Sequence, residues 1–458
     1  MVFSNIIRSF FLIVLLSYHL TVFSQDAWTF EQCIRYACDN NIQLKQQQLA
    51  VDQAENNLLQ SKLNLLPNLN ASGNFNSSKG KVLDQNTFTI VDGTTVNSLT
   101  GSIGSSVTLF KGWQQKNTID RNQFSLWASI EDVEKLKNDL SIHIALYYLQ
   151  IIHAQEQLEV AENQLKLTLL QVERTAVLVD AGSVPEGNLF EIQSQAAREE
   201  LQVVTARNTW DMARLNLSQL LDLETKTNFQ VVVPDLSNIG ISEITGSVDD
   251  VYSTAETVLP QIKAAEYNLK GMEKQLSIAK GYRSPTLTFS AGTGSRYSNS
   301  ASPRALKDDN GNTYFVDFPL KEQLDANINS YIGVGLNIPI FNGWQVQTNI
   351  KNARLNLQNY RYQLQLSRNT LYKEIQQAHA DAEAALKQYL AAAKTVVSME
   401  EAFRYTEQRY EVGLMNFVDY STAKTRFTAA QSDLLQSKFQ YIFKTKVLDF
   451  YNGRAITL

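Results

Sequence analysis

Hydrophobic positions along this chain follow two periods, and each period occurs twice. Between Gly112 and Gly182, apolar side chains fall at Leu140, Ile144, Tyr147, Ile151, Ala154, Leu158, Ala161 and Leu165. These alternating steps of four and three residues form the seam of a coiled coil. Between Gly343 and Gly413 the same steps recur at Leu371, Ile375, Ala378, Ala382, Ala385, Tyr389, Ala392 and Val396, each 231 positions on. Neither stretch contains a proline or an interior glycine. The pattern therefore predicts unbroken helices over 113–181 and 344–412, each about 100 Å long at about 1.5 Å per residue. A helix of that length cannot bury its stripe in a compact globule, so it must lie against other long helices. Glycine stops follow at Gly182 and Gly413, and return helices are predicted over 186–221 and 417–449.

The second period is two. After Leu66-Pro67, Asn68, Asn70, Ser72, Asn74 and Asn76 alternate with Leu69, Ala71, Gly73 and Phe75. Alternation resumes from Leu99 to Phe110, again after Pro285, and again from Ile328 to Phe341. Four strands are expected, at about 68–77, 99–110, 285–293 and 328–341, with polar links over 79–97 and 294–327. Short helices over 28–39 and 42–64, broken at Asn40-Asn41, precede the first strand. A short strand over 229–233 belongs to a side feature at 222–250. Gln261-Ile262-Lys263 and Pro285 repeat Gln43-Leu44-Lys45 and Pro67 at an offset of 218. The thirteen residues separating this offset from 231 fit most simply in the 294–327 link. The chain thus divides into two similar halves, 25–240 and 241–458.

Segment 1–24 reads as a secretory signal. Arg8 precedes an apolar run from Phe10 to Leu16, and Val22 and Ser24 suit a cleavage site. A membrane anchor is the alternative, for which the run is short. The 41 basic and 46 acidic residues give a net charge of −5, which argues against nucleic acid as a partner. Cys33 and Cys38 are five apart on a predicted helix, about 8–9 Å between Cα atoms, beyond disulfide reach.

Strands of about ten residues with one apolar and one Ser/Thr/Asn/Gly face match outer-membrane barrel strands. A half-buried sheet in a soluble protein shows the same alternation, but its solvent face usually carries charges. Four strands cannot close a barrel, and an open edge in lipid leaves backbone groups unpaired, so several copies must share one barrel. The fold class expected is mainly α with a membrane β-barrel contribution. On these features the chain resembles the outer-membrane efflux proteins of the TolC family. The residues that carry the resemblance are Leu66-Pro67-Asn68-Leu69 and Ser284-Pro285-Thr286-Leu287, then Leu109-Phe110-Lys111-Gly112 and Ile340-Phe341-Asn342-Gly343, and finally the tips Ala181-Gly182-Ser183-Val184-Pro185 and Tyr410-Glu411-Val412-Gly413-Leu414. The resemblance implies a homotrimer with a twelve-stranded barrel in outer-membrane lipid and a helical periplasmic tunnel. It also implies a periplasmic adaptor and an inner-membrane transporter as partners. Family members often carry an Asp six residues after the tip glycine; Asp419 fits in the second half, whereas the first has Asn188.

The residues singled out are of three kinds. Pro67, Gly112, Pro285 and Gly343 mark junctions between strands and helices. Gly182, Ser183, Val184, Gly413, Leu414 and Met415 form helix tips suited to docking an adaptor. Glu173, Arg174, Asp180, Arg404, Glu407 and Glu411 are candidates for a charged periplasmic gate, against the plainer reading of solvated helix faces. His143, His153 and His379 lack ligand spacing, and no phosphate loop or nucleophile elbow occurs. No enzyme activity, cofactor or metal is therefore expected. The reading is a passive exit duct for small molecules driven by an inner-membrane transporter. A protein-secretion conduit shares this architecture, and a soluble periplasmic scaffold is the rival of another kind.

Overall fold

The computed structural model describes residues 27–83, 90–223, 229–234, 246–300 and 304–458. The secretory signal expected over 1–24 lies outside the described residues. In order, the elements are α1 (Phe30–Asn40), α2 (Ile42–Leu63), β1 (Asn68–Leu83), β2 (Ile90–Lys111), α3 (Gln114–Asp180), α4 (Glu186–Leu220), α5 (Val248–Val258) and α6 (Pro260–Gly281). Then come β3 (Thr286–Ser298), β4 (Arg304–Lys307), β5 (Thr313–Val316), α7 (Leu320–Ala326), β6 (Asn329–Asn337), α8 (Gln345–Glu411) and α9 (Phe417–Tyr451). Both α3 and α8 run 67 residues, and both α4 and α9 run 35. No described helix is long and apolar enough to cross a membrane.

The chain forms two compact units. The first comprises Met1–Leu49, Ile130–Lys263 and Gln365–Leu458. Its core gathers Phe30, Cys33 and Ala37 from α1 against Leu140, Ile144, Ile151 and Ala154 of α3, with Leu217 of α4 and Ile442 of α9. The α8 seam residues Leu371, Ile375, Ala378, Ala382 and Ala385 are likewise buried. Thr29 and Gln32 close a capping box that starts α1, and Asn41 accepts from the Leu44 amide to start α2. Cys33 and Cys38 are both free, and burial pushes the Cys33 thiol up to about 12. The strand expected over 229–233 shrinks to a single parallel bridge, Trp28 to Val231. Its partner has no length to offer, since the α1 cap at Thr29 follows Trp28 directly, and Pro234 ends the other side.

The second unit comprises Ala50–Ser129 and Ala264–Leu364. It holds one four-stranded antiparallel sheet in the order β1-β2-β3-β6. Asn68 pairs with Ser106, Ser105 with Ala291, and Phe289 with Val334. The limits of all four strands differ from expectation. β1 and β2 pair through much of the 79–97 link, because backbone hydrogen bonds continue the ladder whatever the side chains. β3 reaches Ser298, and the rest of the 294–327 link contains the β4–β5 hairpin and α7. β6 stops at Asn337 rather than 341, with Pro339 just beyond, which has no amide hydrogen to donate. A bulge between Thr108 and Phe110 sets Leu109 and Phe110 side by side.

Candidate functional site

Both tips end in the same hydrogen-bonded turn. Gly182, at φ 68°, donates to Val179 O, and Ser183 donates to Leu178 O. Gly413, at φ 74°, donates to Tyr410 O, and Leu414 donates to Arg409 O. These two bonds define a Schellman cap, which requires a left-handed residue where glycine is least strained. A Cβ at either glycine would meet nothing within 4 Å, so the requirement is conformational. Asn416 then starts α9 by accepting from the Asp419 amide, and Asp419 accepts from the Asn416 side-chain amide. Asp419 therefore serves as a capping residue. Leu414 is 71% exposed, and Val177, Phe190, Val412 and Val418 are exposed as well. Ser183 is exposed and Val184 and Met415 are partly so.

Of the six gate candidates, two meet across helices. Arg174 of α3 lies 3.5 Å from Glu411 of α8, and both are solvent-exposed. Arg404 instead turns back on Glu401 of its own helix at 2.6 Å. Glu173 and Asp180 are exposed, and neither forms a salt bridge among the described residues. Glu407 is partly buried, and desolvation, then the nearby Glu411 charge, holds its carboxyl above the usual range.

A stronger network lies deeper and escapes sequence reading. Lys424 of α9 and Glu199 of α4 approach to 3.3 Å with side chains only 5% and 3% exposed. The Lys424 ammonium also donates to the Thr168 hydroxyl of α3, which in turn donates to Glu199. Gln195 donates to the other Glu199 oxygen at 2.9 Å, and the Gln164 carbonyl lies 3.5 Å from the ammonium. The ammonium and the carboxylate are thus both hydrogen-bonded, which a buried charge pair requires. Burial pushes the Lys424 ammonium below its ordinary range, against the opposing pull of Glu199. Beside it, Gln171 bonds Tyr420, and Tyr420 stacks on Tyr410 at 4.6 Å. One signal for this network exists in the sequence. Glu199 follows Ile192 and Ala196, and Lys424 follows Phe417 and Tyr420, at seam spacing on each helix.

In the second unit, the register sorts the sheet into two faces. Leu69, Ala71 and Phe75 share one face with Leu99, Ile103, Val107, Leu287, Phe289, Ile332, Val334 and Leu336. Most of these are exposed, with Val334 at 65% and Ile332 at 79%. The other face carries Asn68, Asn70, Ser72, Asn74, Thr100, Ser102, Ser106, Thr288, Ser290, Gly335 and Asn337. Tyr331 lies on this face over Gly292, where a Cβ would come within 2.8 Å of its ring. An apolar face left bare over three strands is unlike a soluble sheet and like a barrel wall facing lipid.

The strand–helix junctions are strained in the same way in both halves. Gly112, Trp113, Gly343 and Trp344 all have φ between 58° and 65°. Positive φ in a tryptophan is a backbone outlier, and here both rings are exposed. The two glycines differ in packing. A Cβ on Gly112 would lie 2.5 Å from Gly281 O, whereas one on Gly343 would meet nothing. Pro67 and Pro285 directly precede β1 and β3, where a fixed φ and missing amide cost no ladder bond. No cluster of three or more His, Cys, Asp or Glu that could hold a metal occurs among the described residues.

The comparisons agree with this geometry. The chain is 22% identical over 415 residues to outer membrane protein TolC of Escherichia coli strain K12, covering 88% of this chain and 78% of that protein. It is 21% identical to outer membrane efflux protein BepC of Brucella suis over 91% of this chain and 84% of that one. Among solved structures, CusC superposes with a TM-score of 0.77 at 17% identity, over 93% of this chain and 92% of that one. The Campylobacter jejuni CmeC outer membrane channel gives 0.73 at 18% identity, over 93% and 85%. The family model for outer membrane efflux proteins matches residues 33–222 and 251–449. By its tips, its two-faced sheet and this match across both halves, the chain belongs to the outer membrane efflux protein family and is a protein of the outer membrane.

Proposed function

We propose that this chain is the passive exit duct of a three-part efflux system, built as a homotrimer with a twelve-stranded barrel over a periplasmic helical tunnel. The observation that carries the reading is the sheet of the second unit. It has one exposed apolar face, one face of small uncharged polar residues, and two edges, β1 and β6, with no partner among the described residues. Open edges in lipid cost several kcal/mol for each unpaired backbone group. β1 and β6 run in opposite senses, so copies placed edge to edge meet antiparallel. Three copies give twelve strands, enough for a lumen, with the polar face inward. The exposed Trp113 and Trp344 suit the membrane–water boundary. The halves 25–240 and 241–458 then contribute equivalent staves.

The tips Gly182–Val184 and Gly413–Met415 are the docking points for a periplasmic adaptor, and the Arg174–Glu411 pair is the exposed contact that a gate would break. Transport energy comes from an inner-membrane transporter, since the chain shows no nucleotide motif. The test is purification in detergent followed by reconstitution. A trimer that conducts across a planar bilayer is expected, and a monodisperse monomer with an intact β-sheet signal refutes the shared barrel. Leu414→Glu, which keeps the glycine cap, is expected to leave the trimer intact and abolish adaptor cross-linking and export. Normal export by that trimer would leave the tip with a structural role only.

A further inference from the structure

We propose that β6 of one copy and β1 of the next join in one defined register, with Leu336 opposite Gly73, Val334 opposite Phe75 and Asn337 opposite Ser72. The proposal rests on the shared-barrel reading and adds which residues of a second copy of this chain occupy the open edge. Its starting point is the equivalence of the two hairpins. Asn68 pairs with Ser106 and Thr286 with Asn337; Ala71 pairs with Ile103 and Phe289 with Val334; Asn76 pairs with Ser98 and Gly294 with Asn329. Adding 218 to each β1 number and 231 to each β2 number turns the first hairpin's pairs into the second's. β1 and β3 are therefore equivalent, and so are β2 and β6.

The chain itself contains the junction between the two hairpins, β2 against β3. There Ser105 pairs with Ala291, Ile103 with Thr293 and Ser106 with Ser290. Carrying β2 forward by 231 and β3 back by 218 gives Leu336 with Gly73, Val334 with Phe75 and Asn337 with Ser72. If the barrel repeats its own junction, these are the seam pairs.

The backbone hydrogen-bond parity agrees independently. Asn299 donates its amide to Asn97 O, so odd-numbered residues of β3 face β2. The Gln323 side chain fills both the amide and the carbonyl of Ser298 from the other side, so even-numbered residues face β6. Alternation then turns the backbone groups of Ile332, Val334 and Leu336 to the open edge of β6, and those of Leu69, Gly73 and Phe75 to the open edge of β1. The proposed register sets these two groups against each other. A slip of one residue would oppose the wrong groups and turn the apolar face inward.

The strand limits fit as well. In this register Asn329, the first residue of β6, falls opposite Gly80. That is where β1 shifts register before Val82 and takes φ 127°. The bulge thus begins where the neighbour strand runs out. On the faces, Val334 beside Phe75 continues the apolar wall, and Asn337 beside Ser72 continues the polar one.

The test is disulfide trapping in the full-length protein purified in detergent, with the unsubstituted chain as background for Cys33 and Cys38. Ser72 and Asn337 form a non-hydrogen-bonded seam pair, with Cα atoms about 4.5 Å apart, within disulfide reach. Ser72→Cys with Asn337→Cys, oxidised mildly, is expected to run as a covalent trimer that reductant returns to monomer. Asn74→Cys with Asn337→Cys, diagonal across the same seam, is expected to remain monomeric on the gel. Should the first variant fail to assemble, Phe75→Cys with Val334→Cys reads the same register from the other face. A light-scattering trimer that cross-links through the diagonal pair, or through neither, overturns the register while leaving the shared barrel standing. A monomer overturns both.

Discussion

Removing one member of the Glu199–Lys424 pair tests how the helices of the first unit are held. Lys424→Met takes away the ammonium and leaves a carboxylate that is almost wholly buried, supported among the described residues by Thr168 and Gln195. Breaking a buried pair in this way costs about 3–5 kcal/mol. Glu199→Gln is milder, since the amide keeps an acceptor for Thr168 and the ammonium retains the Gln164 carbonyl; about 1–3 kcal/mol is expected. The double change Glu199→Met with Lys424→Met removes both desolvation penalties and should return to within about 2 kcal/mol of the original protein, on either side. Native-state hydrogen exchange across 160–205 and 415–430 in the detergent-purified protein reads local opening free energies directly. With Glu199→Met added as the second single change, the original protein, the two Met singles and the double form a double-mutant cycle. Single losses under about 1 kcal/mol, or a double loss equal to the sum of the two Met singles, would refute the claim that this pair is desolvated and coupled.

Three further outcomes are expected. Val334→Arg should cost about 2–4 kcal/mol in a folding assay in lipid, whereas Asn337→Arg should assemble and change conductance; equal tolerance would mean that the register or the membrane assignment is wrong. Gly343→Ala should cost about 1 kcal/mol for its positive φ alone, but Gly112→Ala should cost clearly more, because its methyl group would strike Gly281 O. Matching thermal shifts for the two would count against that contact. Glu407 has a folded pKa raised above its ordinary 4.5, so the folded state holds the proton more tightly than the unfolded one. Its contribution is complete below 4.5 and fades as pH rises through the folded value. Exchange at the tips should therefore speed up over that window in the original protein and less so in Glu407→Gln.

Much of this protein is legible without coordinates, because its physics is periodic. Steps of four and three residues without proline or interior glycine commit Gln114–Asp180 and Gln345–Glu411 to long helices. Gly182 and Gly413 announce their own stops, since a left-handed cap depends on the residue at that one position. Alternation in β1, β2, β3 and β6 gives two faces, and the small uncharged polar face already separates a barrel wall from a soluble sheet. Pro339 was readable as the end of β6, though alternation to Phe341 masks it. Other features depend on how helices are phased against one another. Lys424 and Glu199 sit at seam positions that sequence periodicity reserves for apolar residues; Gln195 reaches Glu199 along its own helix, but only the rotation of α3, α4 and α9 brings Thr168 and the two charges together and makes their burial tolerable. Arg404 is the opposite case: its partner Glu401 lies three residues back on its own helix, a spacing that the sequence itself offers. The Gly112–Gly281 contact joins residues far apart in sequence, and Gly343 has no counterpart contact among the described residues. The ladder through 79–97 is made by backbone atoms that every sequence supplies, so side-chain pattern could not reveal its length.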